Sequence, residues 1–150
     1  IVRSRASEWK IDPKRIGVMG SSAGGHLAAR GSTGFDVQAY QKVDKHDGVS
    51  CKPDFTVLLS PAYMNKGKAL AKEFTVTDKL SPTLIVTCKD DGFFIGSEVY
   101  AKALEEAGAP VRTHFFEKGG HGIKIRGEKY PLSTWPELYL QWLRDITIIE

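Results

Sequence analysis

Two short runs, Phe55-Thr56-Val57-Leu58-Leu59 and Thr83-Leu84-Ile85-Val86-Thr87-Cys88, constrain the fold most. They are rich in β-formers and almost continuously apolar rather than alternating, as strands are when both faces of a sheet are covered. Such strands belong to parallel sheets in layered α/β domains, where crossover segments lay helices on the faces. Ile16-Gly17-Val18-Met19-Gly20 and Val111 to Phe116 read as two further strands. His26 to Arg30 favours helix. Val99, Ala103, Leu104 and Ala107 fall at helical spacing between Ser97 and Ala107, ahead of Gly108, a natural helix stop. A closing helix from about Ser133 to Ile146 repeats Leu138, Trp142 and Ile146 on one face. Ser4 to Lys10 has helical character until Ile11-Asp12-Pro13 breaks it. Gly31 to Ser50 lacks apolar periodicity and is expected to be a loop or an irregular excursion. The order strand, helix, strand, strand, helix, strand, helix predicts an α/β fold, a mainly parallel sheet of about four strands flanked by helices with right-handed crossovers. No repeat, low-complexity tract or linker divides residues 1–150, so a single domain is expected.

Composition narrows the partners. The chain has 150 residues, of which 41% are apolar and 26% charged, the make-up of a globular domain with a modest core. Its net charge of +3 comes from scattered Lys and Arg with no basic stripe, so nucleic acid is not expected as a partner. No apolar run approaches the roughly 20 residues that span a bilayer, so no membrane partner is expected. Ile1 to Trp9 lacks the apolar core of a signal peptide. As it stands the chain reads as soluble and cytoplasmic, or as secreted or periplasmic had a leader been removed. Cys51 precedes one predicted strand and Cys88 ends the next, which places them too far apart for a disulfide, and two free thiols are expected.

The chemistry concentrates in Gly20-Ser21-Ser22-Ala23-Gly24, a Gly-x-Ser-x-Gly sequence directly after a predicted strand and directly before a helix. That is the setting of a nucleophile elbow, a sharp turn that strains the serine backbone and exposes its hydroxyl at the strand end. Side chains at Gly20 or Gly24 are expected to collide with the neighbouring chain. The backbone N–H of Ala23, at the helix N-terminus, is expected to donate to a developing oxyanion. A plain Gly/Ser turn or a phosphate-binding turn competes with this reading, but the Lys and the paired glycine spacing of a P-loop are absent.

A serine hydroxyl needs an imidazole to take its proton and a carboxylate to hold that imidazole. His121, in Gly119-Gly120-His121-Gly122, and the pair Asp90-Asp91 both follow predicted strands and so emerge at the same sheet edge as Ser22. Spacing alone leaves open which of Asp90 and Asp91 faces the histidine; the other is expected to be a turn residue or a helix cap near Gly92. His26, His46 and His114 are poorer partners, and no pair of histidines has the spacing of a zinc-binding helix. No metal or cofactor is expected.

Residues Ile16 to Ala29 resemble the elbow of α/β-hydrolases of the acetyl esterase and acetylxylan or feruloyl esterase group, which are xylan-associated hydrolases. The likeness runs on through Lys52-Pro53-Asp54-Phe55 to Pro61, Pro82 to Asp91, Ser97 to Pro110, and Phe116 to Gly122, almost the whole chain. It implies the α/β-hydrolase fold and an activity on carboxylic esters. In that family the acid follows its strand in a pattern resembling His-Gly-x-x-Asp-Pro-x-Val-Pro. Laid on Thr87 to Ile95, the pattern assigns the acid to Asp91, with Gly92 in place of the usual Pro and Phe94 in place of Val. Family members also carry an N-terminal half with the first strands and a His-Gly-Gly loop that completes the oxyanion hole. The sequence starts just before the elbow strand without such a loop, so the resemblance implies the C-terminal half of the fold. Two expectations follow. Loss of one oxyanion donor typically costs about 10²- to 10³-fold in rate, so the chain alone should be a poor catalyst. The Ile16 to Gly20 strand should lie at an exposed apolar edge that a second copy, in a homodimer, or a partner chain covers.

The connection from Ala62 to Ser81 is short and polar at Lys66-Gly67-Lys68, which leaves no room for a large apolar lid. Tyr63, Met64, Phe93 and Phe94 follow strand ends and are expected either around a small acyl pocket, with Ser21 also at the substrate, or as loop-packing aromatics. Such a site suits short-chain esters on sugars or polysaccharides. The competing readings are a serine peptidase of the prolyl-oligopeptidase type and a non-catalytic remnant that serves as an interaction module.

Overall fold

The structure is a computed structural model that describes residues 1–122 and 131–150. Its strands are β1 (Val18–Ser21), β2 (Thr56–Leu59), β3 (Asn65–Lys66), β4 (Ala69–Leu70), β5 (Thr83–Cys88) and β6 (Val111–Phe116). Its α-helices are α1 (Ala23–Thr33), α2 (Phe94–Glu106) and α3 (Trp135–Asp145), with 3₁₀ turns at Arg3–Arg5, Lys45–Gly48 and Pro131–Thr134. Four strands form one sheet in the order β1-β2-β5-β6, each neighbouring pair parallel. β3 and β4 form a separate antiparallel hairpin within the β2–β5 crossover.

The continuous apolar runs do what their composition demands. Every residue of β2 and β5 is buried. Register places Leu58 beside Ile85, Val57 beside Leu84, and Leu59 beside Val86. Because side chains alternate across a strand, these pairs divide between two faces. Leu58 and Ile85 pack with Ala28 and Ala29 of α1 and with Tyr100 and Leu104 of α2. Val57, Leu59, Leu84, Val86 and Cys88 pack with Leu132 and with Trp135, Trp142 and Leu143 around α3. The result is a helix, sheet, helix sandwich whose middle strands have no wet face.

Small residues let α1 lie close to the sheet: Gly25, Ala28, Ala29 and Ser32 are buried, and the Ser32 and Thr56 hydroxyls bond at 2.7 Å. α2 begins three residues earlier than the apolar spacing suggests, because the Phe94 N–H donates to the Asp91 carbonyl at 2.9 Å and starts the helical turn there. It stops where expected, with Gly108 at φ +75° and the Ala109 N–H bonded back to the Leu104 carbonyl at 2.9 Å. The N-terminal segment forms a 3₁₀ turn and bonded turns that end at Lys10 with φ +55°, rather than the expected helical segment. The β3–β4 hairpin was not legible in the sequence, since two-residue strands leave too little alternation to detect.

The two outer strands are less covered. β1 alternates between half-buried and exposed, with Met19 43% exposed, and Leu27 on the neighbouring helix is 70% exposed. Among the described residues, no helix is long and apolar enough to cross a membrane.

Candidate active site

Between β1 and α1 the chain turns within one residue. Ser22 has φ +53° and ψ −123°, a conformation that costs a non-glycine residue strain and survives only where its surroundings impose it. Those surroundings are explicit. The Ser22 N–H donates to the Leu59 carbonyl at 3.0 Å, and the Ser22 carbonyl accepts from the N–H groups of Ala62 (3.0 Å), Gly25 (3.0 Å) and His26 (3.2 Å). The turn is so tight that a Cβ on Gly20 would lie 2.0 Å from the Gly24 carbonyl oxygen. Gly24, expected to be equally crowded, instead has open space where a side chain would stand. The second crowded glycine is Gly25, whose Cβ would come within 2.9 Å of Pro61, because that residue faces the β2 end while Gly24 faces outward.

The four strands of the main sheet are parallel, so the residues that follow them gather at one edge. Ser22 follows β1, Asp91 follows β5 and His121 follows β6. Ser22 Oγ lies 2.8 Å from His121 Nε2, and His121 Nδ1 lies 2.9 and 3.0 Å from the two oxygens of Asp91. Nδ1 between carboxylate oxygens must donate, which leaves Nε2 free to accept from the serine hydroxyl. The Asp91 side chain is fully buried and the His121 side chain is 35% exposed. A buried carboxylate needs partners, and Asp91 has them. Beyond the imidazole it accepts from the Phe93 N–H at 2.9 Å and the Thr87 hydroxyl at 3.3 Å. Thr87 in turn lies 3.5 Å from the buried Ser60 hydroxyl. The Ala23 N–H occupies the first position of α1, one of the helix-terminal donors with no partner inside the helix.

The paired aspartates divide their work, with Asp90 in the turn that follows β5, one of the two expected places. Asp91, bonded to the Phe93 N–H, is a turn-forming residue as well. Asp90 caps no helix. Its carboxylate crosses to the loop after β6 and accepts from the N–H groups of Gly120 (2.8 Å) and Gly119 (3.0 Å). Those amide bonds, led by Gly120, hold its carboxyl below the usual carboxylate range.

Of the aromatic residues expected nearby, two join the site. Phe93 packs tilted against the His121 ring at 5.0 Å, and Tyr63 stands edge-on to Phe93 at 5.2 Å. Tyr63 is exposed and holds φ +59°. Phe94 packs instead against Phe115 of β6, and Met64 is fully buried in the core beside Ile85 and Tyr100. Ser21 is exposed at the end of β1, one residue before Ser22. His26 is a framework residue, stacked edge-on with Phe74 at 5.1 Å and with Nδ1 3.2 Å from the Tyr63 carbonyl. His114 is half-buried within β6, where burial pushes its pKa down.

A second serine–histidine contact has the wrong polarity. Ser4 Oγ lies 2.7 Å from His46 Nδ1, but the Ser4 hydroxyl donates to the Ile1 carbonyl, so His46 must be the donor and cannot accept that proton. It borders a cavity of about 620 Å³ lined by residues such as Ile1, Ile16, Val18, Phe35 and Tyr40, which lies away from Ser22, Asp91 and His121. Cys51 and Cys88 are both free thiols, and burial raises the pKa of Cys88, which disfavours the thiolate a nucleophile requires. The sequence reading missed Thr87 and Ser60. Thr87 carries a signal, four residues before Asp91 at the end of β5, whereas nothing in the chain marks Ser60.

The parallel sheet with a serine turn between its edge strand and the following helix is the α/β-hydrolase fold. Residues 1–59 match the BD-FAE family model. The chain is 27% identical to an acetylxylan esterase of Xylanibacter ruminicola over 97% of its own length and 32% of that protein. It is 33% identical over 84 residues to neutral cholesterol ester hydrolase 1 of Mus musculus, matching 49% of this chain and 19% of that one. Among solved structures it superposes on an acetyl ester-xyloside bifunctional hydrolase from Caldicellulosiruptor lactoaceticus with a TM-score of 0.85 and 30% identity, covering 99% of this chain and 63% of that one. The chain therefore has the α/β-hydrolase fold and is similar to esterases of that fold, and it spans about a third of the length of the acetylxylan esterase it matches.

Proposed function

We propose that the chain hydrolyses short-chain carboxylic esters, acyl groups on sugars or polysaccharides, with Ser22 as nucleophile, His121 as general base and Asp91 as the acid that orients it. The observation that carries this reading is the unbroken chain of contacts from the strained Ser22 hydroxyl through both ring nitrogens of His121 to the buried Asp91. His121 Nε2 takes the hydroxyl proton as Ser22 Oγ attacks the ester carbonyl, and the Ala23 N–H donates to the oxyanion. The C–O bond to the alcohol then breaks and the alcohol leaves with the proton from His121, which leaves an acyl-serine. Water, deprotonated by the same imidazole, releases the carboxylic acid and restores Ser22. Phe93 and Tyr63 form one wall for the acyl group or its sugar. The choice of ester class rests on the acetylxylan esterase and acetyl ester-xyloside hydrolase likenesses.

A fluorophosphonate probe should label wild-type protein and spare Ser22→Ala, and p-nitrophenyl acetate should be turned over by the wild type alone. Absence of both sinks the proposal. Turnover of a prolyl peptide amide in preference to the ester would favour a peptidase.

The rival with an observation behind it is an interaction module, favoured by the exposed Met19 and Leu27 beside the β1 edge. That reading expects a folded chain with an unreactive Ser22. Both readings have the β1 edge covered by a second copy or a partner chain.

A further inference from the structure

We infer that Asp90 is a positioning residue: its carboxylate latches the loop after β6 and so sets His121 between Ser22 and Asp91. This rests on the Ser22, His121 and Asp91 roles proposed above. Loops after strands are the mobile parts of an α/β site, yet a base must stand within hydrogen-bond distance of its nucleophile before substrate arrives.

The loop from Phe116 to His121 is tied to the segment after β5 at successive points. The Lys89 N–H donates to the Phe116 carbonyl at 2.7 Å, extending the strand pairing by one bond. Next, Lys89 Nζ meets Glu117 at 2.5 Å, both side chains exposed. Then Asp90 Oδ1 accepts the N–H groups of Gly119 and Gly120 together, with Oδ2 3.3 Å from Gly119. Gly119 has φ +159° and Gly120 φ +68°, and their two successive amides converge on one carboxylate oxygen. Gly119 also rests on the Cys88 thiol, where a Cβ would come within 2.5 Å of Sγ. The next residue along is His121.

Two consecutive carboxylates thus hold one loop, Asp90 by its backbone and Asp91 by its imidazole. A residue serving only its own turn bonds two or three positions away, as Asp91 does with Phe93. The partners of Asp90 lie 29 and 30 positions away, in the loop of the proposed base. The bonds are charge-assisted, stronger than those of a neutral acceptor. Their main acceptor is a single oxygen, so Asn can keep both amides on its carbonyl.

The test compares Asp90→Ala and Asp90→Asn with wild type. It reads p-nitrophenyl acetate hydrolysis per fluorophosphonate-titrated site, and hydrogen exchange of the Gly119 and Gly120 amides. Misplacing a catalytic group by about 1 Å costs on the order of 100-fold. Asp90→Ala should therefore lower kcat by roughly 10- to 100-fold with KM nearly unchanged, and should speed exchange at those two amides alone. Asp90→Asn should recover most of both. The latch is overturned if Asp90→Ala keeps its kcat per titrated site, or if Asn fails to rescue. It is also overturned if exchange rises across the whole sheet, the mark of a merely structural role. Should wild type hydrolyse nothing, the proposed function fails, and exchange decides the latch by itself: unchanged protection of Gly119 and Gly120 in Asp90→Ala removes it.

Discussion

β1 and β5 are both parallel strands of one sheet, yet they are built for opposite duties. β5 sits between two neighbours with all six residues buried, and it delivers Asp91, whose carboxylate is wholly removed from solvent. β1 is an outer strand of the sheet, alternates between half-buried and exposed, and delivers Ser22 with a strained backbone. The proposed orienting acid needs permanence, because an unpaired buried carboxylate is costly and its partners must not wander. The proposed nucleophile needs access, and an outer strand followed by a sharp turn offers it. His121, on the loop after β6, spans the two environments.

The comparison can be broken at several points. Ser22→Ala should abolish ester turnover, a loss on the order of 10⁴- to 10⁶-fold in kcat with folding intact, read as residual turnover with p-nitrophenyl acetate. Asp91→Asn should lower kcat by roughly 10⁴-fold, since the neutral amide no longer holds the imidazole in its donating tautomer. A loss below tenfold would mean that β5 contributes packing and not orientation. Ile85→Ala, at the fully buried centre of β5, should cost about 2–5 kcal/mol in urea unfolding with little change in turnover by the folded fraction. The same experiment at Met19 separates the strands most sharply. Met19→Lys should change stability by less than about 0.5 kcal/mol, yet should shift any self-association seen by sedimentation, because a lysine on a sheet edge opposes strand addition. A large stability loss there would show that β1 is as much core as β5.

Much of this arrangement is legible in the chain. The runs at Phe55–Leu59 and Thr83–Cys88 announce covered strands because burial on both faces removes polar alternation, and β5 begins and ends where the run does. Ser22 and His121 stand out in the sequence because the proposed catalysis demands particular residue types beside glycine at strand ends. Asp91 over Asp90 is not legible from spacing, since two adjacent carboxylates differ only in the direction their side chains take. Nor is the crowding at Gly25 rather than Gly24, which depends on where Pro61 stands. Phe93 and Phe94 are adjacent aromatics of the same kind, and only packing sends one to His121 and the other to Phe115.

The sequence by itself determined the layered α/β architecture, the strand-to-helix turn at Ser22 and the edge of the sheet where polar residues would gather, because periodicity and glycine placement act over a few neighbouring residues. Tertiary structure decided which of those residues meet. Asp90 is 29 positions from Gly119, and His121 is 99 positions from Ser22. Their distances are set by the register of parallel strands and by the loops that strand pairing brings together, quantities that no local stretch of chain contains.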